Sequence, residues 1–107
     1  MKLLEAELRA SLPALYARER VPDPIVHAKF FTPGSNRTWY VTEGEAEADD
    51  VRIFGYVCGL GEEWGYVALS ELETVRGALG PPVQRDLDFT PERFTKVMAN
   101  ERRSLGG

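Results

Sequence analysis

The sequence has 107 residues and a net charge of −4, with 13 lysine and arginine residues against 17 aspartate and glutamate residues. Its hydrophobic fraction of 43% and charged fraction of 28% are typical of a folded protein with one core, and we predict a single domain over residues 1–107. Because affinity for duplex nucleic acid depends on neutralising phosphates, an acidic chain without a concentrated basic run is not expected to bind it.

The amino-terminal segment has a helical pattern of leucines. Leu4, Leu8, Leu12 and Leu15 recur at helical spacing, which is typical of a surface helix packed on a core. Pro13 interrupts this run and predicts a second short helix that ends near Arg18. The segment contains neither the apolar stretch of a signal peptide nor a run of membrane-spanning length, so we predict a cytoplasmic protein that does not associate with membranes.

Four strands are predicted in the middle of the chain from runs of β-branched and aromatic residues. They are Val26 to Thr32, Thr38 to Glu43, Val51 to Cys58 and Trp64 to Leu69. The connections between them are short, which favours antiparallel pairing. Residues 43–50 hold five acidic side chains and no basic one, and we interpret them as a solvated loop.

The last third of the chain predicts a helix, a strand and a helix. Ser70 and Glu73 have the spacing of a capping box, in which each side chain binds the other's backbone N–H. This first helix is expected to end at Gly77 or Gly80. Residues 83–89 predict an edge strand, and Thr90 followed by Pro91 predicts the start of the last helix. Residues 102–107 are expected to form a frayed tail.

The predicted fold is therefore α+β. It has a four- or five-stranded, mainly antiparallel sheet with an N-terminal helix, a helix before the last strand and a C-terminal helix. The chain contains no internal repeat.

An ordered set of short segments resembles a known bacterial family. The segments are Lys29-Phe30-Phe31-Thr32-Pro33, Thr38-Trp39-Tyr40, Gly65-Tyr66, Leu69-Ser70-Glu71-Leu72-Glu73 and Arg85-Asp86-Leu87. Together with Leu12-Pro13 and Leu15-Tyr16 they are similar to the family catalogued as domain of unknown function 2958, over residues 3–89. The resemblance implies a small stand-alone protein that is often encoded near plasmid, phage or integrative-element genes. It implies no activity and transfers no catalytic residue.

Four residues are candidates for a catalytic role. Asp86 and Asp88 lie two apart on a predicted strand, so both carboxylates are expected on one face beside Arg85, a geometry that can hold Mg²⁺ only if further oxygen ligands converge. His27 is the only histidine and is expected on a strand surface, on the same face as Lys29. None of these patterns has the spacing of a catalytic nucleophile and its general base.

No metal site and no cofactor are predicted. Cys58 is the only cysteine, so the chain has two cysteine or histidine residues in all, fewer than the four ligands of structural zinc. With one cysteine the chain cannot form an internal disulfide. We interpret Cys58 as a packed, apolar residue.

The aromatic residues indicate a sheet that is apolar on both faces. Along each predicted strand, large apolar side chains occur on both faces of the sheet. A sheet with one face in water instead alternates apolar with polar residues. Helices either cover both faces or leave an aromatic patch that marks an interface. We expect at least one of four residues to be exposed: Phe31, Tyr40, Phe54 and Tyr56.

These observations favour a non-enzymatic interaction or regulatory protein that binds another protein through the sheet surface. The alternative is a small enzyme or nucleic-acid-processing factor that uses Arg85, Asp86 and Asp88. The oligomeric state is left open.

Overall fold

The computed structural model describes residues 12–13, 23–33, 37–59, 61–75 and 82–105, with side chains as far as Glu101. The helices predicted between Leu4 and Arg18 lie outside the described residues, except at Leu12 and Pro13. Gly77 and Gly80, the predicted end of the next helix, also lie outside them.

The described elements follow one another in the order expected of an α+β fold. The strands are β1 (Ile25–Val26), β2 (Ala28–Phe31), β3 (Thr38–Glu47), β4 (Asp50–Cys58), β5 (Glu63–Ala68), β6 (Gln84–Arg85) and β7 (Glu92–Arg93). The helices are α1 (Leu69–Thr74), between β5 and β6, and α2 (Phe94–Leu105), after β7. None of the helices in the described ranges combines the length and the apolar character needed to cross a membrane.

Five of the strands form one antiparallel sheet. Their order is β5-β4-β3-β2-β6, and β1 pairs with β7 in a separate two-stranded sheet. The predicted α+β class, antiparallel sheet and C-terminal helix are therefore confirmed. β6 lies at the edge beside β2, as expected for the strand predicted over residues 83–89, although it is only two residues long.

The strand predicted from Val26 to Thr32 is interrupted at His27. Val26 and Ala28 would share one face of a continuous strand, yet Val26 packs in one apolar cluster and Ala28 in another. The backbone N–H of His27 still donates to Val41 O at 2.8 Å. The chain thus leaves the pairing with β7 and enters the large sheet at this residue.

The acidic segment of residues 43–50 is a β-hairpin, and its prediction as a loop is wrong. β3 continues to Glu47, and β4 begins at Asp50 after a two-residue turn. The register between β3 and β4 shifts between Val41 and Glu43, where Thr42 is the extra residue of a β-bulge. Because of this shift Gly44, rather than Glu43, lies against the Leu12 side chain. The bulge therefore keeps the glutamates of this strand off the Leu12 side of the sheet, although Glu43 itself is buried (4% exposed).

The turn of this hairpin contains a residue with an unfavourable backbone conformation. Ala48 has φ 54°, and among the described residues it is the only one other than glycine with a positive φ. A two-residue hairpin turn of this type favours glycine at its first position. We expect Ala48→Gly to raise the free energy of unfolding by about 1 kcal/mol, because the left-handed region costs roughly 1–2 kcal/mol for an L-residue. Urea unfolding measures this gain, and Asp49→Gly, in the same turn, is the control in which no gain is expected.

Helix α1 begins without the predicted capping box. Its N-cap is Ala68, which makes no side-chain cap, so the expected pairing of Ser70 with Glu73 is wrong. The N–H of Ser70 instead donates to Asp50 Oδ1 at 3.1 Å, and its hydroxyl also donates to the Asp50 carboxylate. Asp50 starts β4, so a residue distant in sequence supplies the acceptor that the local pattern assigned to Glu73.

Helix α2 begins four residues later than Thr90, and that predicted start is wrong. Residues 92 and 93 pair with β1, which delays the helix to Phe94. The N–H of Thr95 donates to Asp23 Oδ1 at 2.9 Å and its hydroxyl donates to Asp23 Oδ2 at 2.7 Å, so Asp23 acts as the cap. The helix extends to Leu105, beyond Arg102, where the frayed tail was expected to begin.

Apolar clusters lie on both faces of the large sheet, which confirms the expectation that both faces are apolar. On the α1 face, the buried residues Phe30, Trp39, Val41, Ile53 and Leu72 form the larger cluster with Leu12 and Val83. On the α2 face, Val26, Tyr40 and Val97 are buried, with Phe94 and Met98 packed against them. The predicted inward positions of α2 (Phe94, Val97 and Met98) are thus confirmed.

Candidate binding surface

Five aromatic rings lie side by side on the α2 face, across β4, β5 and the start of α2. They are Phe54, Tyr56, Trp64, Tyr66 and Phe94, and we call them the aromatic surface. Trp64 is central: its ring centroid lies 5.6 Å from Phe54, 5.3 Å from Tyr56 and 4.8 Å from Phe94. Phe54 is also 4.7 Å from Tyr66, and Tyr56 is 5.0 Å from Phe94. These separations are those of favourable aromatic pairs, so the rings support one another in one layer.

The register of the sheet explains why the rings meet. Tyr56 is paired with Trp64, and Phe54 with Tyr66, across the β4–β5 ladder. Side chains directly opposite each other in an antiparallel pair lie close together on one face. Two rings on each strand, two residues apart, therefore form a block of four, and Phe94 extends it onto α2.

The outer part of the aromatic surface is exposed to solvent. Trp64 is 39% exposed and Tyr66 is 45% exposed, whereas the other three rings are partly buried. Both exposed residues are on β5, which ends the described sheet on that side. Helix α2 packs Val97 and Met98 over Val26 and Tyr40, and its Phe94 ring contacts the rings of Tyr56 and Trp64. The exposed area is thus on β5, at the outer edge of the α2 face.

None of the four aromatic residues named from the sequence is exposed, so the expectation that at least one would be is wrong, because β2, β3 and β4 are interior strands of the sheet. Tyr40 is only 4% exposed and lies beneath α2. Phe31 is partly buried and lines a groove near β6. Phe54 and Tyr56 are partly buried members of the aromatic surface. Sequence reasoning missed Trp64 and Tyr66, the two exposed members, although they lie two residues apart in a predicted strand.

The polar neighbours of the aromatic surface are mainly acidic. Tyr56 donates its hydroxyl hydrogen bond to Glu62 Oε2 at 3.1 Å, which holds this carboxylate beside the rings. Arg52 is on β4, two residues before Phe54. It donates to the Glu47 carboxylate from Nε at 2.7 Å and from a terminal nitrogen at 3.0 Å. Arg52, the one basic residue of β3, β4 and β5, is therefore paired with a carboxylate.

A polar cluster under α2 separates the aromatic surface from the β6 side of the sheet. Lys29 Nζ lies 2.9 Å from Glu101 Oε1 and 5.9 Å from the centroid of the Tyr40 ring. Burial raises the pKa of Tyr40 well above its usual value, and the negative charge of Glu101 adds to the increase. Tyr40 therefore stays neutral, and its interaction with Glu101 helps to join α2 to the sheet.

Cys58 belongs to the packing of the same face. It is partly buried against the cluster of Val26, Tyr40 and Val97. Burial raises the pKa of its thiol, and the nearby charges of Glu62 and Glu101 raise it further. The thiolate needed for nucleophilic chemistry is thus disfavoured, in line with the interpretation of Cys58 as a packed residue.

The carboxylates near β6 lie in a turn, and their predicted projection from one strand face is wrong. β6 ends at Arg85, and the N–H of Phe89 donates to Asp86 O at 3.3 Å. The N–H of Asp88 donates to Asp86 Oδ1 at 2.9 Å, so this carboxylate supports the turn itself. The Asp86 carboxylate thus accepts a backbone hydrogen bond within the turn, and the strand does not continue past Arg85.

Three of the four proposed catalytic residues still lie along one groove. Arg85, Asp86 and Asp88 line an open groove of about 550 Å³ together with Lys29 and Phe31. His27 does not line it, nor does it line the neighbouring groove of about 310 Å³. Among the described residues there is no group of three or more histidine, cysteine, aspartate or glutamate side chains that could hold a metal ion.

Comparison with known proteins adds a family to this description. A family model described as Protein of unknown function (DUF2958) matches residues 3–107. The chain belongs to this family. The match confirms the resemblance seen in the sequence and extends it past Phe89, so the DUF2958 region includes α2 and all of the aromatic surface. Searches of curated proteins and of solved structures found no match.

Proposed function

We propose that this protein is a non-enzymatic interaction protein that binds another protein through the aromatic surface. The observation that carries the proposal is the exposure of Trp64 and Tyr66 within a continuous layer of five rings. Contiguous exposed apolar patches mark interaction sites, and tryptophan and tyrosine are the residue types enriched in the energetically dominant parts of interfaces. The rings are held by their neighbours before binding, which lowers the entropy lost on association.

The proposed setting is regulation in the bacterial cytoplasm, in a host that carries a mobile genetic element. The family resemblance supports this setting. The net charge of −4 supports a protein partner rather than duplex nucleic acid.

The alternative, a small enzyme or nucleic-acid-processing factor at the Arg85 groove, has less support. Asp86 is engaged in its own turn, and His27 lies outside the groove. A general base needs to reach a substrate held by the other groups, and this geometry does not bring His27 to them.

A photo-crosslinking amino acid placed at position 66 tests the proposal in cells. We expect Tyr66 replaced by p-benzoylphenylalanine to give a discrete covalent adduct with another protein, because the ring at this position is 45% exposed at the proposed interface. The adduct is detected by its mass shift on a denaturing gel and identified by mass spectrometry.

The matched control places the same crosslinker at Leu87, which is 67% exposed in the turn after β6. This variant is expected to lack the adduct. The proposal is wrong if position 66 gives no adduct, or if both positions capture the same proteins in equal yield.

A further inference from the structure

We propose that the partner segment is an extended, positively charged strand that pairs with the open edge of β5 and lays its side chains over Trp64 and Tyr66. This inference rests on the proposed function and names the class of partner for the same surface.

The charge distribution along the chain is the first argument. Residues 43–75 contain nine acidic side chains and one basic side chain, Arg52, whereas the remaining residues contain eight acidic and 12 basic ones. Most of these carboxylates are exposed, namely those of Glu45, Glu47, Asp49, Glu62, Glu63, Glu71 and Glu73. Since Arg52 is bonded to Glu47, the region that bears β4, β5 and α1 has a strong excess of negative charge. Complementary charge at an interface favours a basic partner.

The edge of the sheet is the second argument. β5 pairs with β4 on one side, and within the described part of the chain no strand pairs with its other side. An edge strand presents N–H and C=O groups to any extended segment that reaches it, and an added strand lies about 4.8 Å away.

The chemistry of the side chains joins these two arguments. A strand added to β5 places every second side chain on the α2 face, beside Trp64 and Tyr66. Arginine and lysine bind the faces of such rings through cation–π contacts, and their aliphatic stems cover apolar surface. Glu62, bonded to the Tyr56 hydroxyl, then lies near the positive groups. Backbone pairing would set the register, and alternate basic residues would supply the specificity.

Synthetic peptides test the inference directly. The probe is a fluorescently labelled peptide of alternating arginine and valine, compared with its glutamate–valine counterpart and with a copy that is methylated at every backbone nitrogen. Fluorescence anisotropy measures binding to the intact protein. We expect the arginine–valine peptide to bind, and we expect either change to weaken binding by at least about tenfold, since about 1.4 kcal/mol of lost contacts is sufficient.

Protein variants locate the contact. Trp64→Ala and Tyr66→Ala are each expected to weaken binding of the arginine–valine peptide by roughly tenfold. Leu87→Ala, at an exposed residue outside the aromatic surface, is expected to leave it unchanged. Thermal melts confirm that each variant is folded before binding is compared.

Several outcomes overturn the inference. Equal binding of the N-methylated peptide rules out strand pairing, equal binding of the glutamate peptide rules out charge recognition, and insensitivity to both Trp64→Ala and Tyr66→Ala places binding elsewhere. The crosslinking experiment separates this inference from the proposed function. An adduct at position 66 with an acidic or helical segment preserves the proposed function and refutes the strand inference, and an adduct with a second copy of this chain refutes both.

Discussion

We expect Gly55→Ala to lower the free energy of unfolding by about 3 kcal/mol or more, since overpacking against rigid structure typically costs about 1–3 kcal/mol and occasionally more. A Cβ atom at Gly55 would lie 2.2 Å from Tyr40 O and 2.9 Å from Tyr40 C. These are backbone atoms of β3 at the bulge, so no side-chain rotation relieves the overlap. Urea unfolding followed by circular dichroism measures the loss, and a failure to fold cooperatively is its extreme form.

Gly65→Ala is the matched control for this substitution. Gly65 is on the neighbouring strand and is paired with Gly55, but no atom of the described residues lies within 4 Å of the position of its Cβ. We expect a change within about 0.5 kcal/mol, as for surface substitutions away from special features. Equal losses for the two variants would show that the cost comes from alanine in a strand and not from the close approach of β3.

We expect Phe30→Ala to lower the free energy of unfolding by about 3–5 kcal/mol, the usual range for removing a buried phenylalanine ring. Phe30 is fully buried (0% exposed) on β2, between Trp39 on β3 and Arg85 on β6. Its ring belongs to the larger apolar cluster, where α1, Leu12 and Val83 close over the sheet. Collapse around the resulting cavity is limited, because the residue lies on an interior strand.

Phe31→Ala tests whether this loss depends on the face of β2. Phe31 is the next residue, is only partly buried and lines the open groove beside β6. Its removal is expected to destabilise the protein by clearly less than the removal of Phe30. A loss as large as that of Phe30→Ala would contradict the assignment of the two rings to a closed core and an open groove.

Much of the fold follows from local patterns in the sequence. The alternation in Val51 to Cys58 predicted β4 almost to the residue, and the apolar spacing of Phe94, Val97 and Met98 predicted the inward side of α2. These patterns predict the structure because each depends only on which residues of a single strand or helix are buried.

The features that were missed depend on contacts between distant segments. Thr42 forms a bulge because β3 must pair with β4 while Leu12 lies over Gly44, and no local pattern records that requirement. The cap of α1 comes from Asp50 and that of α2 from Asp23, far from the residues expected to fill those roles.

The candidate site was predicted in type but not in position. Alternation on both faces indicated an aromatic surface on the sheet, and Phe54 and Tyr56 belong to it. The exposure of Trp64 and Tyr66 depends on strand order, since β5 is at an edge while β3, with Tyr40, is central. Strand order is a property of the assembled sheet, and short connections alone did not reveal it.

The attachment of α2 has a consequence for the protein during its synthesis. The contacts from Lys29 to Glu101 and from Asp23 to Thr95 each join residues 72 positions apart. β2 to β5 are linked by short connections, so they can pair while α2 is still inside the ribosome. A nascent chain at that stage exposes Val26 and Tyr40 as well as the four rings on β4 and β5, and chaperones that bind apolar segments compete for this face until α2 docks.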